Sequence, residues 1–122
     1  MESKERIVID AAKIEAEEFP WGDLRWLWSS KINPKAEQTF GVVRIKQGER
    51  NAAHIHANCE ELLYVLSGEC EHGIGDEVYK LKKGMLIFIP QGVGHYAVNT
   101  GDEMFEAVIS YSSPDRMMNV AE

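Results

Sequence analysis

No stretch of this chain is long and apolar enough to span a bilayer, which needs about 20 such residues. The first ten residues, MESKERIVID, contain neither a long apolar run nor a small-residue cleavage site, so no secretory leader is expected and the cytoplasm is the expected location. Cysteine is scarce. Cys59 and Cys70 are the two present, in neither a CxxC nor a zinc-ribbon spacing, and free thiols fit a reducing compartment. Positive charge is also short: 13 Lys and Arg stand against 20 Asp and Glu, a net charge of −7 that would repel nucleic acid. The local basic cluster Lys80, Lys82 and Lys83 reads as a solvated strand end, and the acidic run Glu15, Glu17 and Glu18 as a solvated face.

Long amphipathic helices are missing as well. The best helical candidate lies within 10–18, a short acidic surface turn or two that must end before Pro20. What remains is a chain of 122 residues with 44% hydrophobic content, enough for one folded domain and a modest core. Short apolar runs punctuated by glycine fill it. Strands are expected at 24–30, 39–46, 62–66, 70–74, 78–81, 86–89, 95–99 and 104–111, separated by turn signals such as Asn33-Pro34, Gln47-Gly48 and Gly75-Asp76. That is roughly eight to ten strands at even spacing, the pattern of an all-β sandwich or barrel. A partly closed jelly roll removes most exposed strand edges. In the strand 24–30, Trp26 and Trp28 are expected to share one face.

The informative segment is 48–61. His54 and His56 are two apart, so on an extended strand they point to one side with Cα atoms about 6–7 Å apart, near enough to share an ion. A helix would splay them, because helical neighbours are three or four apart. Glu61 opens the next strand and can add a carboxylate oxygen. His95 lies far along the chain, behind Pro90, Gly92 and Gly94, and joins the others only if its strand returns beside theirs. Three imidazoles and one carboxylate leave coordination positions open, as in a reactive site rather than a closed structural one.

Gly48, His54, His56, Glu61 and Gly68 stand at the spacings of the first motif of the cupin superfamily, and Gly84, Pro90, Gly92, His95 and Asn99 at those of the second. The chain therefore resembles that superfamily over 48–99. One departure is Met85, where many members carry aspartate after the glycine that opens the second motif. The resemblance implies an all-β cupin jelly-roll barrel, also called a double-stranded β-helix. A single domain would span 1–122, with an N-terminal extension over 1–23 and a tail over 114–122. It implies one divalent transition metal (Fe, Mn, Ni or Zn) held by His54, His56, Glu61 and His95, and it selects Glu61 over Glu60.

Three residues stay open. His72 reads as an ordinary polar strand residue, or as a group beside the pocket. Cys59 reads as a small packed residue in the bend, or as an extra ligand. Arg44 reads as an outward-facing arginine, or as an anchor for a carboxylate substrate. No Ser-His-Asp order, phosphate loop or Cys-His nucleophile is present, and Gly73-Ile-Gly75 lies between strands rather than before a helix. Chemistry must therefore run through the metal. Two functions fit: a small metalloenzyme of dioxygenase, isomerase or lyase type acting on a small organic molecule, and a non-catalytic sensor or ligand-binding module. A homodimer is expected, because strands 62–66 and 86–89 are apolar on both faces. The segment 7–9 is a candidate strand to cross to the partner's sheet.

Overall fold

The computed structural model describes residues 7–120. They form two antiparallel sheets: one in the order β1-β2-β3-β10-β5-β8, the other β11-β4-β9-β6-β7. The first contains β1 (Glu17–Phe19), β2 (Gly22–Trp28), β3 (Thr39–Ile45), β5 (Glu61–Ser67), β8 (Leu86–Ile89) and β10 (Phe105–Tyr111). The second contains β4 (His54–Ile55), β6 (Glu69–Ile74), β7 (Glu77–Lys82), β9 (His95–Asn99) and β11 (Asn119–Val120). The all-β jelly roll expected from the motifs is what the chain forms. Among the described residues, no helix is long and apolar enough to cross a membrane.

Strict alternation builds the core. On β3 and β10 every second residue is buried, and on β5 Glu61, Leu63 and Val65 turn inward while Leu62, Tyr64 and Leu66 turn out. Inward residues of both sheets meet in one cluster that includes Ile45, Val65, Ile89, Phe105 and Ala107 from the first sheet, and Cys70, Leu81 and Ala97 from the second.

The motif glycines and the motif asparagine have structural work in this barrel. Gly68 joins β5 to β6 at φ +84°, and a Cβ there would lie 3.0 Å from the Met104 carbonyl oxygen, so both backbone angle and space require glycine. Asn99, fully buried at the end of β9, donates to the Ile45 carbonyl at 2.8 Å and the Glu103 carbonyl at 2.8 Å, and accepts from Gly101 N–H at 2.9 Å. One side chain thus closes the turn into β10 and ties it to the end of β3.

One expectation, for the two tryptophans of β2, needs correction, and two others take a definite form in the chain. The stretch 10–18 makes only a single 3-10 turn, Ala11–Lys13, with the Asp10 carboxylate accepting from Ala12 N–H. A helix this short is marginal in water, and Glu17–Phe19 instead pairs with β2 through the Pro20-Trp21 turn. Trp26 and Trp28 do not share a face. An irregularity between them shifts the pairing so that Trp26 sits opposite Gly41 and Trp28 opposite Phe40, and the extra residue, Leu27, turns Trp28 outward. In the single chain the segment 7–9 is not in a strand and Ile7 and Val8 are exposed, while the expected crossing is to a partner's sheet.

Replacing Asn99 with Ala leaves two buried carbonyls and an amide without this partner. The expected loss is about 3 kcal/mol of unfolding free energy, read by urea denaturation, with the histidine cluster left in place. A loss below about 1 kcal/mol would mean that water replaces the carboxamide.

Candidate metal centre

β4 is only two residues long, yet it sets the site. It pairs with β9 so that His54 stands directly opposite His95, which brings the distant histidine back beside the first. His56 follows just beyond β4, and Glu61 opens β5 in the facing sheet. The rings of His54 and His95 lie 4.2 Å apart between centroids, those of His54 and His56 4.9 Å, and those of His56 and His95 5.2 Å. One nitrogen of each lies within 4.8 Å of the others, so the three histidines can hold a metal ion. Glu61 Oε1 adjoins this group, 3.3 Å from His56 Nε2 and 3.4 Å from His95 Nε2. The structure brings all four candidate ligands together.

Hydrogen bonds on the far side of each ring decide which nitrogen is free. A carbonyl can only accept, so Nδ1–H of His54 donates to the Ala52 carbonyl at 2.7 Å and Nδ1–H of His56 to the Met117 carbonyl at 2.9 Å. Both rings therefore keep a bare lone pair on Nε2. Nδ1 of His95 lies 3.0 Å from Nε2 of His72, whose ring stacks nearly parallel to it. When His95 donates this bond, its Nε2 is bare as well. Among the described residues, the buried side-chain atoms without a hydrogen-bond partner are His72 Nδ1 and three that adjoin one another, His56 Nε2, His95 Nε2 and Glu61 Oε1. Leaving such atoms unsatisfied costs about 1–3 kcal/mol each, and a single cation would satisfy those three together.

The electrostatics keep these rings in their ligand form. Burial, and then the neighbouring imidazoles, push His95 down to about 2. Burial and then His54 push His72 down to about 4. Burial lowers His54 too, against its bond to Ala52. The contact of neutral His95 with Glu61 is therefore a polar contact and not an ion pair. Tyr111, buried beside Glu61, is held well above the usual phenol range, first by burial and then by the Glu61 charge. Its hydroxyl stays protonated and acts as a donor.

The residues left open by the sequence now have places. His72 is 1% exposed and supports His95 from behind; its only sequence signal was a histidine among strand residues, which carries no such information. Cys59 is buried and its thiol is raised, chiefly by burial, so it packs as a small apolar side chain. Arg44 points out of the barrel and grips Asp23 with two bonds, Nε to Oδ1 at 3.2 Å and Nη2 to Oδ2 at 2.8 Å, which removes it as a substrate anchor. The tail, which carried little sequence signal, covers the barrel mouth. β11 pairs with β4, the Met117 carbonyl holds His56, and Arg116 stacks over Trp26 and Tyr111.

A cavity of about 240 Å³ adjoins the cluster. Trp21, Leu24, Trp26, Val43, Leu63 and Ile109 supply apolar wall, and Asn51, Tyr111 and Arg116 supply polar groups beyond the candidate ligands.

A family model described as "Cupin domain" matches residues 41–111. Polyketide synthase CurC of Streptomyces cyaneus is 30% identical over 105 residues, covering 86% of this chain and 68% of that protein. Protein SchB of Streptomyces halstedii is 35% identical over 81 residues, 66% of this chain and 59% of that protein. Among solved structures, an oxalate decarboxylase from Lactobacillus farciminis in complex with formate has a TM-score of 0.83 at 24% identity, over 89% of this chain and 34% of that one. That last likeness concerns the fold alone. The chain thus spans 59% of the length of SchB and about a third of the decarboxylase.

Histidines held neutral by burial make the metal-free barrel sensitive to acid. The unfolded chain protonates its imidazoles near 6.5, while the folded chain resists until about 4 at His72 and about 2 at His95. Stability is therefore complete above pH 6.5 and falls as the pH drops below it, because only the unfolded state gains protons there. Chemical denaturation in EDTA between pH 8 and pH 4 should show this decline, with a shallower slope for His72→Gln. A flat profile would show that these rings are protonated in the folded chain.

Proposed function

The chain belongs to the cupin family, and on that basis we propose that it is a metal-dependent enzyme: His54, His56, Glu61 and His95 hold one divalent transition metal (iron, manganese, nickel or zinc) that acts on a small organic molecule in the adjoining cavity. The observation that carries this reading is the convergence of bare, buried lone pairs whose opposite nitrogens are already tied down. Such an ion supplies a Lewis acid, and a redox centre where it is iron or manganese.

The chain's own residues supply the rest. Three imidazoles present nitrogens at fixed angles, and Glu61 adds a carboxylate that offsets part of the ion's charge. Tyr111 keeps a proton at its hydroxyl beside Glu61 and can donate a hydrogen bond to an oxygen atom of the substrate. The apolar walls exclude water and strengthen each polar contact inside. Dioxygenase, isomerase and lyase chemistries are the classes this arrangement supports. The likeness to a protein named as a polyketide synthase favours a carbonyl-rich substrate. A passive binding module would need no polar group in the cavity besides the ligands. Asn51, Tyr111 and Arg116 line it, and they support the enzyme reading. Two buried, unbridged cysteines fit the cytoplasmic location.

Protein purified without added metal should contain about one equivalent of transition metal by elemental analysis. His56→Ala should lose most of it while the barrel stays folded. His72→Ala should lower metal affinity by about 10–100-fold by releasing His95. Full occupancy in His56→Ala would remove His56 from the ligand set.

We also propose a homodimer. Leu62, Tyr64 and Leu66 on β5 and Leu86 and Phe88 on the adjoining edge strand β8 form an exposed apolar face, with Leu86 54% and Phe88 49% exposed. A two-fold pairing of this face would cover it and protect the edge of β8. Sedimentation at micromolar concentration should give twice the 13.8 kDa chain mass. A single species at the chain mass would refute it.

A further inference from the structure

The charge at the mouth of the cavity narrows the substrate class. The cavity beside the histidines and an outer groove of about 470 Å³ share Trp26, Arg116 and Met118, so these residues stand where a molecule would pass from solvent to the cluster. Among the described residues lining the cavity, Arg116 alone carries a permanent positive charge, in a chain whose net charge is −7.

Arg116 is placed rather than loose. The Asn58 carboxamide grips the backbone on both sides of it, donating to the Asp115 carbonyl at 2.8 Å and accepting from Met117 N–H at 2.8 Å. The Asp115 side chain is tied to Ser30, and the Met117 carbonyl to His56. The guanidinium carbon then lies 4.3 Å from the Trp26 ring centroid and 5.3 Å from that of Tyr111. Stacking covers the faces of a guanidinium and leaves its edge donors available. Among the described residues, no carboxylate or carbonyl takes a hydrogen bond from those donors. Arg44 and Arg25, by contrast, are each engaged by protein oxygens.

We propose that Arg116 is an anion anchor that fixes the carboxylate, or an equivalent anionic oxygen group, of a flat and largely apolar substrate at the cavity mouth. Five donors in a planar fork match a two-oxygen anion, and the flanking indole and phenol rings match a planar body. The substrate's uncharged end then points toward the histidines. The proposal rests on the reading of the cavity as a substrate site, and it adds the charge and shape of the molecule.

The test is a tryptophan-fluorescence titration with benzoate and with benzamide, its neutral near-isostere. It uses wild type, Arg116→Gln and Arg116→Lys, each as purified and after EDTA treatment, with metal content measured in parallel. Wild type should prefer benzoate by about tenfold or more, and EDTA should leave that preference in place. Arg116→Gln should weaken benzoate by about tenfold, leave benzamide within about twofold and keep the wild-type metal content. Arg116→Lys should recover part of the loss, through charge without the fork. The proposal falls if benzoate does not bind wild type, if its binding survives Arg116→Gln, or if EDTA abolishes the preference. It also falls if Arg116→Gln loses metal, because the residue would then serve only to hold the tail. A metal-poor wild type that keeps its benzoate preference counts against the metalloenzyme alone.

Discussion

The molecule is organised around several imidazoles packed in an apolar interior without charge. A protonated ring there would be desolvated and would repel its neighbours, and a neutral ring needs partners for both nitrogens. The carbonyls of Ala52 and Met117, together with His72, serve the outer nitrogens and leave the inner ones bare. Each of these partners comes from a different part of the chain. The cluster can form only after β4 has paired with β9, β6 has paired with β9, and the segment 114–120 has crossed the mouth. The site thus depends on distant parts of the chain, although its motif is the most visible thing in the sequence.

The two sheets divide the labour. The first supplies most of the apolar core and, through β2 and β3, one wall of the cavity. The second carries His54, His72 and His95 on neighbouring strands. Glu61 faces these histidines from the first sheet, so the candidate centre also joins the two layers. Asn99 does a similar job with backbone groups, binding the end of β9 to the end of β3.

Much of this was legible from residues alone because strand alternation and motif spacing are local signals. β8 and β9 have the expected bounds, and the other main strands differ by a few residues at their ends. The two apolar faces expected of 62–66 are there, with Leu63 and Val65 inward and Leu62, Tyr64 and Leu66 outward, as period two requires. What escaped depends on non-local facts. Two-residue strands such as β4 and β11 have no period to read. The extra residue at Leu27 changes the face of Trp28 only because of how β2 registers against β3. A one-residue slip of this kind leaves no mark in composition. Arg44 gave no hint that Asp23 would claim it, since the pair spans two strands. Arg116 was missed, and His72 was left open, for a further reason. Their roles are defined by what they stand beside, and neither lies in a motif.

The segment that crosses the mouth supports the centre in two different chemical currencies. At residue 117 it offers a main-chain carbonyl, which every amino acid possesses. At residue 116 it offers a side chain, which only arginine provides in that form. Substitution can therefore act on the two positions independently. The support of His56 is indifferent to which residue occupies 117, so long as the backbone path held by Asn58 is kept. The charge and shape presented to an incoming molecule can be rewritten at 116 alone. The structure separates what holds the ring geometry from what faces the outer groove.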